Sequence, residues 1–444
     1  MISRRTTAAM MLAGIFALTA CSGPGASAPA TVAEFPTEDV KLTMWYWGEQ
    51  EAPGAQAFMD NAIVAYEKKR PNVTIDAVLQ TTDGLIPSFQ AAAASKSGPD
   101  LQYFWAGTNA LTPAWNKQIV PVSDYIPKSE LAHYLNATEE TFEGKVWTAP
   151  WYVQPSFPLL VRKDLLAAHG LTVPKDWTDL MSVCDALSEK GITTLAGGVK
   201  DGWFGGWLYS ILGAQNLDSQ KDVLEATVGK QSFTSAKHAE WWKRLAESRD
   251  HGCWNDDINS LELYQAQQRF VDGTAAMTVT AGTDAMNFVK KAGGDANVEV
   301  MAMPSWGAGP LAGKLGSSSQ TLGITSWAKY PQVAADFITF LHEEEQLNAW
   351  YATTGSMPAD DRFDRTQVTS ASQRKLFDLA TDGSPYLENY IPPQLDSDAV
   401  FKNVQLVLQG SQTAEGAAED MEATAARLRT TDRSLVKNFT AWSK

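Results

Sequence analysis

Three cysteines and five histidines are all that 444 residues contain, and that scarcity removes much chemistry at the outset. Transition-metal centres are built from clustered Cys and His, whereas these histidines are scattered. His342 opens "HEEE" with no second histidine at the spacing of a zinc helix. No G-x-S-x-G elbow occurs, since "GSSSQ" lacks the closing glycine. "GAGPLAG" has the wrong spacing for a dinucleotide loop and carries Pro310, and there is no Walker-type lysine loop. Neither a cofactor nor a metal is therefore expected. Positive charge is short as well. Lys and Arg number 36 against 51 Asp and Glu, a net charge of −15, which argues against nucleic acid and against an anionic membrane surface as partners. The acids leave room for a carboxylate pair of the glycosidase type, but no spacing singles one out.

The N-terminus reads as a targeting segment. "MISRR" is a basic n-region and "TTAAMMLAGIFALTA" an apolar h-region too short for a membrane span, so residues 1–20 are expected to be a signal peptide. Leu18-Thr19-Ala20-Cys21 resembles the bacterial lipoprotein box, with Cys21 as the lipidated residue. A plain secretion signal with a chance cysteine is the alternative. Residues 21–38 are rich in Ser, Gly, Ala and Pro, the composition of a flexible tether. No later run is long and apolar enough to cross a bilayer. The expected location is outside the cell membrane, anchored through the lipid on Cys21. The remaining cysteines, Cys184 and Cys253, form an even pair that permits a disulfide in an exported chain. Trp177, Leu180, Met181, Cys184 and Leu187 trace one helical face, so Cys184 could equally be plain core; the bridge is the expectation taken here.

Aromatics, by contrast, are plentiful: sixteen residues are Trp. "KLTMWYW" reads as a strand, "AFMDNAIVAYEKKR" as a helix ended by Pro71, "NVTIDAVL" as a second strand, Leu85 to Lys96 as a helix, and "LQYFW" as a third strand. That alternation predicts an α/β fold with a mainly parallel sheet. Ligands of such sheets sit at the carboxyl ends of strands, where the residues after Tyr46 and after Phe104 should rim one cleft. "GKVWTAP", "TAAMTVTAG", "VEVMAMP" and "LGITSWA" are further strands, and residues 331–355 one long helical stretch.

In this order the segments "YEKKRPNVTIDAV", "SGPDLQYFW", "GKVWTAPW", "VRKDLLAAHGLTVPKDWTDL", "FVDGTAAMTVTAG" and "AADFITFLHEEEQ…TGSMPA" resemble the extracellular solute-binding proteins of bacterial ABC sugar importers, the maltose-binding-protein-like group. The likeness runs from about residue 40 to the C-terminus; Val161-Arg162 departs from it, where many members have Tyr-Asn. The resemblance implies a two-lobed periplasmic-binding-protein-like fold (type II) with a ligand cleft between lobes. The lobes are expected from residues 39–153 with 320–375, and from 154–319 with 376–444. It further implies a non-enzymatic monomer that binds a carbohydrate, closes like a hinge and docks on permease subunits.

A sugar offers hydroxyls at its ring edge and C–H patches on its faces, so its site wants flat aromatic platforms beside acids and amides. Trp45 is expected in the core, and Trp47 either there or on the ligand. Glu49 and Gln50 align with sugar-contacting positions of the family, the alternative being a solvated loop. Trp105 and Asn109 follow the third strand. Trp151, Tyr152 and Gln154 lie at the first crossing between lobes. "DGWFGGW" offers Trp203, Phe204 and Trp207 among glycines that suggest an exposed loop, the alternative for one of these rings being helix packing. Asp284 stands where the family often places a contact, or else is a helix N-cap; Trp306 and Gln320 complete the set. A secreted carbohydrate-active hydrolase and a surface scaffold lipoprotein are the competing readings. Cys21→Ala should abolish lipid attachment, leaving an unprocessed precursor or protein lost from the membrane fraction. A Cys21→Ala protein that still matures with lipid attached would disprove the anchor.

Overall fold

Nine principal strands follow in chain order: β1 (Val40–Tyr46), β2 (Val73–Leu79), β3 (Leu101–Trp105), β4 (Ala149–Ser156), β5 (Leu159–Arg162), β6 (Thr193–Ala196), β7 (Ala275–Val279), β8 (Val298–Met301) and β9 (Gly316–Thr325). They come from a computed structural model that describes residues 34–443. The leader, Cys21 and the tether up to residue 33 lie outside the described residues. No helix among the described residues is long and apolar enough to cross a membrane.

The strand–helix alternation at the start forms as its apolar pattern predicts. β1 buries Val40, Leu42, Met44 and Tyr46, and it pairs in parallel with β2 and with β3. Helices α1 (Ala55–Lys69) and α2 (Thr82–Ser95) make the crossovers. Thr81 caps α2, its side chain accepting from Gly84 N. Trp45 is only half-buried, because the main core takes the other face of β1.

Two strands exceed their expected length. β4 runs on through "WYVQPS", and all eight of its residues are buried. β9 begins at Gly316, six residues before "LGITSWA". Both lack alternation because neither has a solvent face. The serines of β9 tolerate burial because they find partners: Ser318 Oγ accepts from Asn389 Nδ2 at 2.7 Å. β9 lies between β3 and β4, antiparallel to both.

The second sheet has the order β8-β5-β7-β6, with β5 antiparallel to its two neighbours and β7 parallel to β6. The chain enters it from β4 through Phe157, whose φ of 65° is left-handed, a conformation costing a bulky residue roughly 1–2 kcal/mol. Around this sheet pack α3 (Trp177–Ser188), α4 (Phe204–Gly213) and α5 (Leu263–Val271). The long helical stretch divides into α6 (Pro331–Leu341) and α7 (Glu344–Thr354). The break falls at His342, whose buried ring pairs with Asp360 and the Pro150 carbonyl.

Cys184 on α3 is bonded to Cys253, S–S 2.12 Å, and both are fully buried. Core position and bridge thus hold together. With the partners 69 positions apart in sequence, the chain-entropy model gives about 4 kcal/mol. Reduction should lower the melting temperature by several degrees, and native protein from an oxidising compartment should take up no thiol-alkylating reagent. Two reactive thiols would refute the bridge.

Candidate functional site

A cavity of about 700 Å³ opens at the carboxyl ends of β1 and β3. Gln50 and Glu51 reach it from the turn after β1, Trp105 and Asn109 from the end of β3, Gln154 from β4 and Gln320 from β9. Trp203 and Trp207 face them from the start of α4, Tyr264 from α5, and Tyr386, Glu388, Asp396 and Phe401 from the segment that follows. Such a volume suits a ligand of drug or short-oligosaccharide size.

One hydrogen-bonded chain crosses the site. Tyr103 Oη donates to Gln320 Oε1, and Gln320 Nε2 to Gln154 Oε1. Gln154 Nε2 then donates to Glu51 Oε2 at 2.8 Å, and Tyr264 Oη reaches Glu51 Oε1 at 3.3 Å. Glu51 thereby links residues of the first sheet to α5. Burial pushes its carboxyl up to about 7, with the charges of Asp284 and Glu388 adding to the rise and the Gln154 and Tyr264 bonds opposing it.

A second set of acids lies deeper. Tyr386 Oη donates to Glu388. Glu388 and Asp396 both line the cavity, and burial holds both carboxyls above the usual range, with the charge of Glu388 adding to the rise at Asp396. Gly206 makes room: a Cβ there would stand 2.2 Å from Glu388 Oε2. Gly205 does the same for Phe401, with 3.1 Å from its would-be Cβ to Phe401 Cα. The glycines of "DGWFGGW" are thus close-packing positions at the head of a helix, where an exposed loop was expected.

Six expected residues line the cavity: Gln50, Trp105, Asn109, Gln154, Trp203 and Gln320. Seven do not. Trp47 is 2% exposed and lies behind Trp105, ring centroids 5.4 Å apart. Its Nε1 donates to Thr82 Oγ1 at 3.0 Å. Glu49 caps α1, accepting from Gly54 N and Gln56 N at 3.1 and 2.8 Å. Trp151 and Tyr152 are buried against Trp350, at 4.9 and 4.7 Å, because β4 has no open face. Phe204 is buried beneath Trp207 and Trp254. Trp306 lies under the Arg244 guanidinium, away from the cavity. Asp284 sits at the head of the helix Ala285–Lys291, makes no capping bond there, and is pushed up to about 6 by burial. It acts on the site through its field on Glu51 and Tyr264.

Trp207, read with its neighbours in "DGWFGGW", lines the cavity as well, whereas Glu51, Phe157, Tyr264, Tyr386, Glu388, Asp396 and Phe401 were missing from the expected set. "SPYLENYIPP", dense in aromatic and acid, was the one local signal available for the last group. Among the described residues no group of three or more His, Cys, Asp or Glu could hold a metal ion.

This architecture is that of the two-lobed periplasmic-binding proteins, and comparison with known proteins places it further. Residues 61–374 match the bacterial extracellular solute-binding protein family, and the chain belongs to that family. An uncharacterized ABC transporter extracellular-binding protein of Pyrococcus horikoshii is 23% identical over 418 residues, covering 88% of this chain and 90% of its own. A chitin oligosaccharide binding protein superposes with TM-score 0.78 at 19% identity, over 88% of this chain and 99% of its own. The GacH receptor of Streptomyces glaucescens, solved unliganded and with acarbose, gives 0.71 at 17% identity, over 90% and 99%. A MalE domain of Bdellovibrio bacteriovorus bound to maltotriose gives 0.67 at 17%, over 88% and 100%.

The raised acids make stability depend on pH with a definite sign. Protonated in the fold, Glu51 (about 7), Glu139 (about 8) and Asp284 (about 6) contribute stability fully present below their ordinary values of 4.5, 4.5 and 3.8. It is lost as pH rises through the folded values. Asp222 and Asp360, held near 2, act oppositely and only in strong acid. Denaturant unfolding should therefore show stability declining between about pH 5 and about pH 8, with Glu51→Gln flattening the decline. Stability that rises across this window would contradict the assignment.

Proposed function

We propose that this solute-binding protein captures a carbohydrate, an oligosaccharide rather than a single ring, between two hinged lobes and delivers it to the permease of an ABC importer. The observation carrying this is the pairing of indole platforms across one polar cavity: Trp105 on the first-sheet side, Trp203 and Trp207 on the other. Glu51, Gln154 and Gln320 supply the acid-and-amide edge that hydroxyls require. Relatives of the same fold that bind chitin oligosaccharide, acarbose and maltotriose support the same class.

On this reading the lobes comprise residues 39–153 with 320–375, and 154–319 with 376–444. The strands β4 and β9 form the hinge, and Phe157 absorbs part of the change in backbone angle. The protein acts as a monomer, held outside the membrane by a lipid on Cys21, and performs no catalysis.

A glycan panel in a thermal-shift screen tests this directly, because a ligand at 100 times its dissociation constant stabilises by about 2.7 kcal/mol. Trp105→Ala and Trp203→Ala should each cost roughly 1–3 kcal/mol of binding, about five- to 150-fold, with the unliganded melting temperature nearly unchanged. Ligand should also shrink the radius of gyration in solution scattering. Oligosaccharides converted to products would favour the hydrolase, and a panel with no binder would favour the scaffold.

A further inference from the structure

The cavity is one-sided in charge. Glu51, Asp83, Asp201, Glu262, Glu388 and Asp396 line it, and no lysine, arginine or histidine does. Among the described residues only Glu262 of these six has an ion-pair partner, Lys200 at 3.1 Å; Lys200 also acts on Asp201 through its field. Asp396 is 5% exposed, and its Oδ1 has no hydrogen-bond partner. A buried acceptor without a donor costs the fold free energy. Two neighbouring buried carboxyls with no positive charge beside them resist ionising together.

From this we infer that the carbohydrate carries a protonated amine, an amino-saccharide whose ammonium is received by Glu388 and Asp396. The inference rests on the carbohydrate reading above. An ammonium brings three donors and one positive charge, which meets both the orphaned Oδ1 of Asp396 and the uncompensated pair. A neutral sugar would leave the pair without a positive charge, and an acidic sugar would be repelled by the whole lining. The indoles of Trp105, Trp203 and Trp207 suit the same ligand, since a ring face attracts both sugar C–H groups and cations. No cluster suited to a metal ion is present among the described residues, so a bare divalent cation does not fit.

Titration calorimetry on the mature protein separates the sources of the charge. Three probes are compared: the β-1,4-linked glucosamine dimer, its N,N′-diacetyl form, and spermidine. The free-amine dimer should bind at least about tenfold more tightly than the acetylated one, the worth of one charge-assisted hydrogen bond. Glu388→Gln and Asp396→Asn should each reduce that preference towards parity, weakening the free-amine dimer by a larger factor than the acetylated one. Melting curves of the free variants confirm that each is folded, and either variant alone is sufficient for the test. Equal or tighter binding of the acetylated dimer overturns the amine and leaves the carbohydrate reading standing. Binding of spermidine alone overturns both. Failure of all three probes overturns the amine inference, and the glycan panel then decides the carbohydrate reading independently.

Discussion

β4 and β9 lie side by side and antiparallel from Ser156↔Gly316 to Ala149↔Leu322, with one register shift beside Gln320. The site hangs on that pairing. Because neither strand has a solvent face, their polar side chains are satisfied internally: Ser319 and Thr321 bond to backbone carbonyls, while Gln154 and Gln320 turn into the cavity. Gln154 and Gln320 therefore bond to each other and pass the chain of donors on to Glu51. The rest of the first sheet fixes the ends of that chain: β3 supplies Tyr103, and the turn after β1 supplies Glu51. A shift of one residue in β4 against β9 would turn Gln154 away from Gln320 and leave buried amide groups of both unpaired, so the polar network helps to set the register.

The aromatic content follows from a second constraint. A platform must be rigid to be useful, and a rigid indole needs a layer beneath it. Trp105 rests edge-on against Trp47, and Trp47 lies 5.6 Å from Tyr103. Trp47 Nε1 also holds Thr82 Oγ1, which in turn donates to Gln50 Oε1 at 2.7 Å. Trp47 thus positions two lining residues without touching the space they line. On the other side Phe157 stacks on Trp207 at 3.9 Å, and Trp203 leans on Tyr264.

That layering sets what the sequence could reveal. The alternation of β1, α1, β2, α2 and β3 was legible because each element buries one face. Gln50, Trp105 and Asn109 were legible because they follow strand ends, and Gln154 and Gln320 because they stand at the expected crossings. Support and platform are the same residue types, however, so Trp47, Trp151, Tyr152 and Phe204 could not be told apart from Trp105 and Trp203 by composition. β4 and the first half of β9 were illegible for another reason: a strand buried on both faces has no period to read. Tyr386, Glu388 and Asp396 reach the cavity from more than two hundred residues beyond β3, and no local pattern marks a residue for so distant a partner.

The acids add a thermodynamic argument about where function sits. A buried carboxyl with no cation is costly, and replacing it with an apolar group of like volume would often stabilise the fold. Here such carboxyls concentrate at the cavity: Glu51, Glu388 and Asp396 all line it, and Asp284 lies within reach of Glu51. Asp396 begins a π-helical turn, Asp396–Phe401, a geometry that departs from the regular helix and is frequent at functional sites. Glu139 and Glu140, just behind, sit where Ser319 of β9 and Tyr390 meet. Buried acids elsewhere, such as Asp222 and Asp360, are held by cationic partners. A ligand that supplied the missing donors and charge would recover part of that cost on binding, and the same free energy would draw the two walls of the cleft together.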